Sequence, residues 1–212
     1  MTDRIEVLTH SSIRIRSSVG TLYIDPFRVE GEPHDADYIL ITHNHYDHFS
    51  PEDVAKICKE GSVMVVPETM KAKAQEESAS GLTIYTVHPG QICSIGELEL
   101  ETVPAYNRLK PFHPKSAGWV GYILKVDDSR VYIAGDTDVT EEAKKVRCDI
   151  ALVPVGGTYT MNAVQAAGLI NKIHPAVAIP THYGSVVGKK EDADAFAEKV
   201  DHSISVEIKM LS

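Results

Sequence analysis

What this sequence lacks narrows it first. No apolar run approaches the roughly 20 residues of a membrane-spanning helix, and the opening MTDRIEVLTHSS has no apolar core of a signal peptide. Positive charge is scarce: 21 Lys and Arg stand against 30 Asp and Glu, a net charge of −9. That balance argues against nucleic acid or an anionic membrane as an electrostatically steered partner. Only three cysteines occur, Cys58, Cys93 and Cys148, far apart and with no C-x-x-C spacing. They build neither a zinc site nor a disulfide framework, and each reads as a small buried apolar residue in a reducing compartment. A soluble, cytoplasmic protein is expected. With 43% hydrophobic residues, residues 1–212 read as one globular domain with enough chain for a sizeable core.

What is present is histidine, ten in all, three of them in Tyr38-Ile39-Leu40-Ile41-Thr42-His43-Asn44-His45-Tyr46-Asp47-His48. A strand-like apolar run ends here in metal-ligand types, where α/β proteins place their chemistry. His43 and His45, two apart on extended backbone, can face one way. Asp47 and His48, after the chain has turned, can face another. Four donors in six residues cannot all serve one tetrahedral ion, so the spacing favours two adjacent cations that draw further ligands from elsewhere.

The rest of the chain reads as short strands and a few helices. Ile5–Leu8, Ile13–Arg16 and Thr21–Pro26 form an antiparallel meander. Asp25 at its end is either a turn-former or a brace for a ligand histidine. Ser50-Pro51-Glu52-Asp53 starts a helix expected to run to about Glu60 and stop at Gly61. Val63–Val66 is a strand, Pro67 to Glu77 is helical and closed by Ser78-Ala79-Ser80-Gly81, and strands follow near 82–87, 91–95 and 97–104. The loop Ala105–Lys115 is basic and holds His113 near two prolines; that histidine is either a ligand or structural. Lys110 and Lys115 are solvated charges or contacts for an anion. Two further strands end in polar tips, Arg130–Ala134 at Gly135-Asp136-Thr137-Asp138 and Val177–Pro180 at Thr181-His182-Tyr183-Gly184. Short helices are expected over 140–146, 162–173 and 192–200, and a last strand over Ile204–Met210.

Taken together, Thr42–His48, Gly135–Asp138 and Pro180–Gly184 resemble the metallo-β-lactamase superfamily, over nearly the whole chain. The Thr9-His10-Ser11-Ser12 opening and Gly156–Met161 look like the branch related to ascorbate-6-phosphate lactonase and N-acylphosphatidylethanolamine phospholipase D. The resemblance implies an αββα four-layer sandwich, two mixed sheets face to face with helices outside. It implies that His43 and His45 hold a first metal, Asp47, His48 and His182 a second, and that Asp136 bridges them, with Asp25 supporting the loop. Where the superfamily has a histidine for the first metal, this chain has Asn107, and His113 is expected to take its place. The implied activity is hydrolysis of an ester, lactone or phosphodiester of a small, anionic substrate, by a hydroxide between two divalent ions, zinc or else manganese or iron. Asp47 would orient that hydroxide. His10, Asn107, Lys110, Tyr159 and Tyr183 are candidates for bracing ligands or touching substrate. Two other readings fit the residues: a non-catalytic or single-metal binding protein, and a di-iron oxidoreductase, which would prefer glutamate at position 47. Nothing in the sequence fixes an oligomeric state.

Overall fold

The structure, a computed structural model, describes residues 1–78 and 81–211. Ala79 and Ser80, assigned above to the turn after the second helix, lie outside them. Alternation of apolar and polar residues builds the first three strands, β1 (Ile5–Thr9), β2 (Ser12–Ser17) and β3 (Gly20–Ile24), paired antiparallel as expected. Next come β4 (Ala36–Leu40), β5 (Cys58–Pro67) and β6 (Thr83–Val87), which add in parallel to complete a six-stranded mixed sheet in sequential order.

The second sheet holds β7 (Ile92–Ile95), β8 (Leu98–Pro104), β9 (Val120–Val126), β10 (Ser129–Ile133), β11 (Ile150–Pro154), β12 (Val177–Thr181) and β13 (Ser205–Val206) in the order 13-12-11-10-9-8-7. Its β7–β10 part is antiparallel and its β10–β13 part parallel. Helices α1 (Pro51–Ile57) and α3 (Ala163–Ile173) make the crossovers β4–β5 and β11–β12. Among the described residues the other two α-helices are α2 (Lys71–Glu77) and α4 (Glu191–Ala197).

Three apolar layers separate the four structural ones. Ile13, Ile15, Leu22, Leu40, Tyr122, Leu124 and Leu152 belong to the layer between the sheets. Ile39, Met64, Val54 and Ile57 pack α1 on the outer face of the first sheet, and Val153, Leu169, Ile170 and Phe196 pack α3 and α4 on the second. This is the αββα sandwich. The side chains of β4 alternate between the two layers, so a parallel strand buried on both faces reads as a continuous apolar run.

Local signals set the helix starts. Ser50 Oγ accepts from Asp53 N at 3.3 Å with Pro51 at the first position. Asn162 and Gln165 form a reciprocal capping box at the start of α3. Several expectations were wrong. Helix α1 stops at Ile57 because Cys58 already pairs with Ala36, and Gly61, at φ 83°, sits inside an irregular β5. Residues 140–146 form only a 3₁₀ turn at Ala143–Lys145. The last strand pairs only at Ser205 and Val206, because the chain then leaves for a competing edge: Met210 bridges Val7 of β1, and Leu211 N bonds Val7 O at 3.0 Å. The three thiols are free and half-buried rather than fully enclosed.

Candidate metal centre

The strand ends β3, β4, β8, β10 and β12 deliver their following loops to one rim of the sandwich. After β4, Ile41 N still bonds Val65 O at 2.9 Å, and Thr42 N then turns to Asp25 Oδ1 at 2.7 Å. From there the chain makes a tight turn, His48 N and Phe49 N both donating to His45 O. Asp25, 1% exposed, takes three hydrogen bonds, from Thr42 N, from Thr42 Oγ1 at 2.6 Å and from His48 Nδ1 at 2.7 Å. Asp25 thus holds the His48 ring by Nδ1, with Nε2 left on the side of Asp136.

Position 135 needs glycine. It has φ 63°, and a Cβ there would stand 3.1 Å from Thr42 Cβ. The next residue, Asp136, is 4% exposed. His113 Nε2 stands 3.3 Å from Asp136 Oδ2, His182 Nε2 3.1 Å and His43 Nε2 3.9 Å; His48 Nε2 stands 3.3 Å from Asp136 Oδ1. Around Asp47 Oδ2 lie His10 Nε2 at 3.3 Å, His48 Nε2 at 3.7 Å and His182 Nε2 at 3.8 Å. Donor atoms within 4.8 Å of one another make three groups: His43, His45, His113 and Asp136; His48, Asp136 and His182; and His10, Asp47 and His182. Asp136 is common to the first two.

The donors suit divalent cations. Imidazole nitrogen and carboxylate oxygen are the ligand types of zinc and its neighbours. His48 Nε2, His113 Nε2, His182 Nε2 and Asp136 Oδ1 are buried without a hydrogen-bond partner among the described residues, a costly state that a cation would relieve. Protonation agrees for most of them. Burial, helped by His48, drives His43 well below its ordinary value, and burial with His113 lowers His45. Burial would raise Asp136, but His182 and His48 beside it hold it well below the carboxylate range. Burial would likewise raise Asp47, but His10 at 3.3 Å and His48 beside it take it down to about 2. His48 is the exception: burial disfavours its charge, yet Asp136 and Asp25 together push it well above its usual value. A cation binding there displaces a proton.

Asn107 does not face the cluster as a donor. Its Oδ1 accepts from His113 Nδ1 at 2.9 Å, with the ring tautomer assigned from that contact, and its Nδ2 donates to Tyr159 O at 2.8 Å. A further bond, Asn107 N to His113 O at 2.7 Å, closes the loop on itself. The asparagine is thus bonded to the histidine that stands in the cluster.

The remaining candidates divide. His10, 0% exposed, meets Asp47 and lies with its ring centroid 4.0 Å from that of His182, whose amide bonds His10 O. Lys110 Nζ is bonded to Asp138 Oδ1 at 2.8 Å and to Thr160 O, and Lys115 Nζ to Glu142 Oε1 at 2.7 Å, so neither is a free cation. Tyr183 is a misplacement in the sequence reading: it points into the outer layer with Phe196 and Ala193, 3% exposed. It follows His182, which stands past the end of β12 with φ 57°.

A cavity of about 340 Å³ opens beside the cluster, lined by His45, Asp47 and Asp136 and by Tyr46, Phe112, Tyr159, Val186 and Val187. Sequence reasoning missed the two valines and Phe112, which carry no chemical signature. It also missed Trp119, whose ring centroid lies 5.0–5.5 Å from those of His43, His45 and His113.

Known proteins resemble this chain in sequence and fold. The profile of the beta-lactamase superfamily domain matches residues 4–182. A UPF0173 metal-dependent hydrolase from Methanopyrus kandleri is 30% identical, covering 98% of this chain and 96% of its own length. The crystal structure of a candidate metal-dependent hydrolase from Parabacteroides distasonis is 31% identical with a TM-score of 0.80, covering 98% of this chain and 93% of that one. Igni18, a metallo hydrolase from Ignicoccus hospitalis, is 21% identical over 97% of this chain and 94% of its own, with a TM-score of 0.77, and shares the fold. None of the three bears on the narrower kinship with the ascorbate-6-phosphate lactonase branch. The chain therefore belongs to the beta-lactamase superfamily, and within it to the UPF0173 metal-dependent hydrolases.

Proposed function

We propose that this protein hydrolyses an ester, lactone or phosphodiester of a small molecule at a centre for two divalent cations, zinc in first place and manganese or iron in second. His43, His45 and His113 would hold the first, and His48, His182 and Asp47 the second, with Asp136 shared between them. The observation that carries the reading is the ring of imidazole nitrogens on the two oxygens of one buried carboxylate, Asp136.

Two cations held there would supply Lewis acidity toward a carbonyl or phosphoryl oxygen and bring the pKa of water to about 7. The protein's own groups do the rest. Asp47, ionised and at the cavity wall, is placed to accept a hydrogen bond from the attacking water and so orient it. His10 contacts the same carboxylate oxygen and steadies it. Asp25 and Thr42 fix the His48 ring, and Asn107 fixes that of His113. The anionic character expected of the substrate would be met at the reacting group of a phosphodiester, since Lys110 and Lys115 are ion-paired; an ester or lactone would bring no charge there. A net charge of −9 and three free thiols support a small-molecule partner in a reducing, cytoplasmic setting. No helix among the described residues is long and apolar enough to cross a membrane.

The test is metal per chain by elemental analysis, with a screen of phosphodiesters, lactones and esters in zinc or manganese. Two ions per chain and turnover abolished by a strong chelator are expected. Turnover that survives complete removal of metal defeats the proposal.

A further inference from the structure

We propose that the cavity beside the ligand cluster selects substrates whose group next to the scissile bond is uncharged and apolar, an aromatic ring or a branched aliphatic chain. The inference rests on the hydrolase reading above and names the substrate class of that site.

The walls carry it. Phe112 meets the Tyr159 ring edge-on at 4.7 Å, and both line the cavity with Tyr46, Val186 and Val187. Tyr46 and Phe112 are 66% and 46% exposed, large apolar side chains left in water around a concave opening. Such grouping marks a binding surface rather than scattered exposure. The volume of about 340 Å³ is at the low end of the roughly 300–1,000 Å³ of ligand sites, which suits one ring or one branched chain with its ester.

Charge excludes the alternative. The charged side chains in the lining are Asp47 and Asp136, both assigned to the cations. Of the bases on the neighbouring loops, Lys110 is engaged by Asp138 and Thr160 O, Lys115 by Glu142, and Arg28 by stacking on Phe27 and bonding Ser185 Oγ at 3.0 Å, while Arg108, Lys189 and Lys190 are exposed and outside the lining. A second anionic group held inside the cavity would face apolar walls and a lining without lysine or arginine, and desolvating it there would be costly. In the reaction, water oxygen forms the new bond to the acyl carbon, the acyl–oxygen bond breaks, and the departing alkoxide or phenoxide takes the proton that water gives up.

The test compares phenyl acetate with 4-carboxyphenyl acetate on the zinc-loaded full chain, each kcat/KM divided by the uncatalysed rate constant. Phenyl acetate is expected to be preferred by about tenfold or more, the scale on which an apolar pocket discriminates. Val187→Lys places a cation in the wall and should bring that ratio towards one or below. Phe112→Ala, at an exposed position that tolerates truncation, should reduce it if Val187→Lys does not fold. A wild-type ratio near one, or reversed, overturns the inference and leaves the hydrolase reading standing. If no ester, lactone or phosphodiester is turned over, the hydrolase reading fails, and saturation-transfer NMR with benzyl alcohol decides the pocket. Saturable contact that Val187→Lys or Phe112→Ala weakens supports it; no contact, or contact indifferent to both, overturns it.

Discussion

Replacing Asn107 by leucine tests how the first donor set is assembled. The side chain is nearly isosteric, so the perturbation is chemical: His113 Nδ1 loses its acceptor at 2.9 Å and Tyr159 O its donor at 2.8 Å. His113 is 1% exposed, so its orphaned Nδ1 is not readily satisfied by water, whereas Tyr159 is half-buried at the cavity wall, where water can satisfy its carbonyl. Leaving one buried polar group unpaired costs about 1–3 kcal/mol, which sets the scale of the loss of folding stability. Removing the partner that orients a ligand histidine also weakens metal binding by roughly 10–100-fold. The single tryptophan, Trp119, reports directly, its ring lying 5.5 Å from that of His113. A zinc titration against a competing chelator, followed by Trp119 fluorescence, should show one weakened site in Asn107→Leu. Asn107→Asp keeps the acceptor and should hold affinity at or above wild type. If Asn107→Leu is folded and binds both ions with wild-type affinity, the bracing argument is wrong.

Asp136→Asn should lower bound metal from two ions per chain to one or none by elemental analysis; two retained ions would remove Asp136 from its bridging place. Tyr122 donates from the opposite sheet to Ile41 O at 2.7 Å, fully buried, so Tyr122→Phe should cost about 1–3 kcal/mol in urea unfolding, and an unchanged midpoint would refute it. Burial raises the Asp53 carboxyl, but bonds from Ser50, Lys56 and the Arg28 and Val29 amides outweigh it and hold it below its usual value. A depressed folded value means stability present above the unfolded value of about 3.9 and lost as pH falls through the folded one. Wild type should therefore lose more stability than Asp53→Asn on acidification below about pH 4, and parallel profiles would contradict the assignment.

Local spacing made much of this visible in advance. His43, His45, Asp47 and His48 lie within one turn, so their type and interval could be read without a fold. Asp136 and His182 could be found as polar tips on apolar strands, because buried parallel strands leave a plain apolar signature. His10 was harder to place, since its contact with Asp47 needs the β1–β2 turn to meet the β4 loop across the rim. The ends of elements were decided by tertiary competition: Met210 leaves the second sheet for β1. Cavity walls such as Val186, Val187 and Phe112 carried no local signal at all, because apolar loop residues look alike whether they line a site or fill a gap.

The donors arrive from both halves of the sandwich. His10 and His43 to His48 follow strands of the first sheet, while His113, Asp136 and His182 follow strands of the second. Ions gripped by both halves would act as rivets, tightening a joint otherwise held by apolar contact. At free metal a thousand times its dissociation constant, one such rivet adds about 4 kcal/mol against separation, so starving the protein of metal would loosen the whole assembly along with its chemistry.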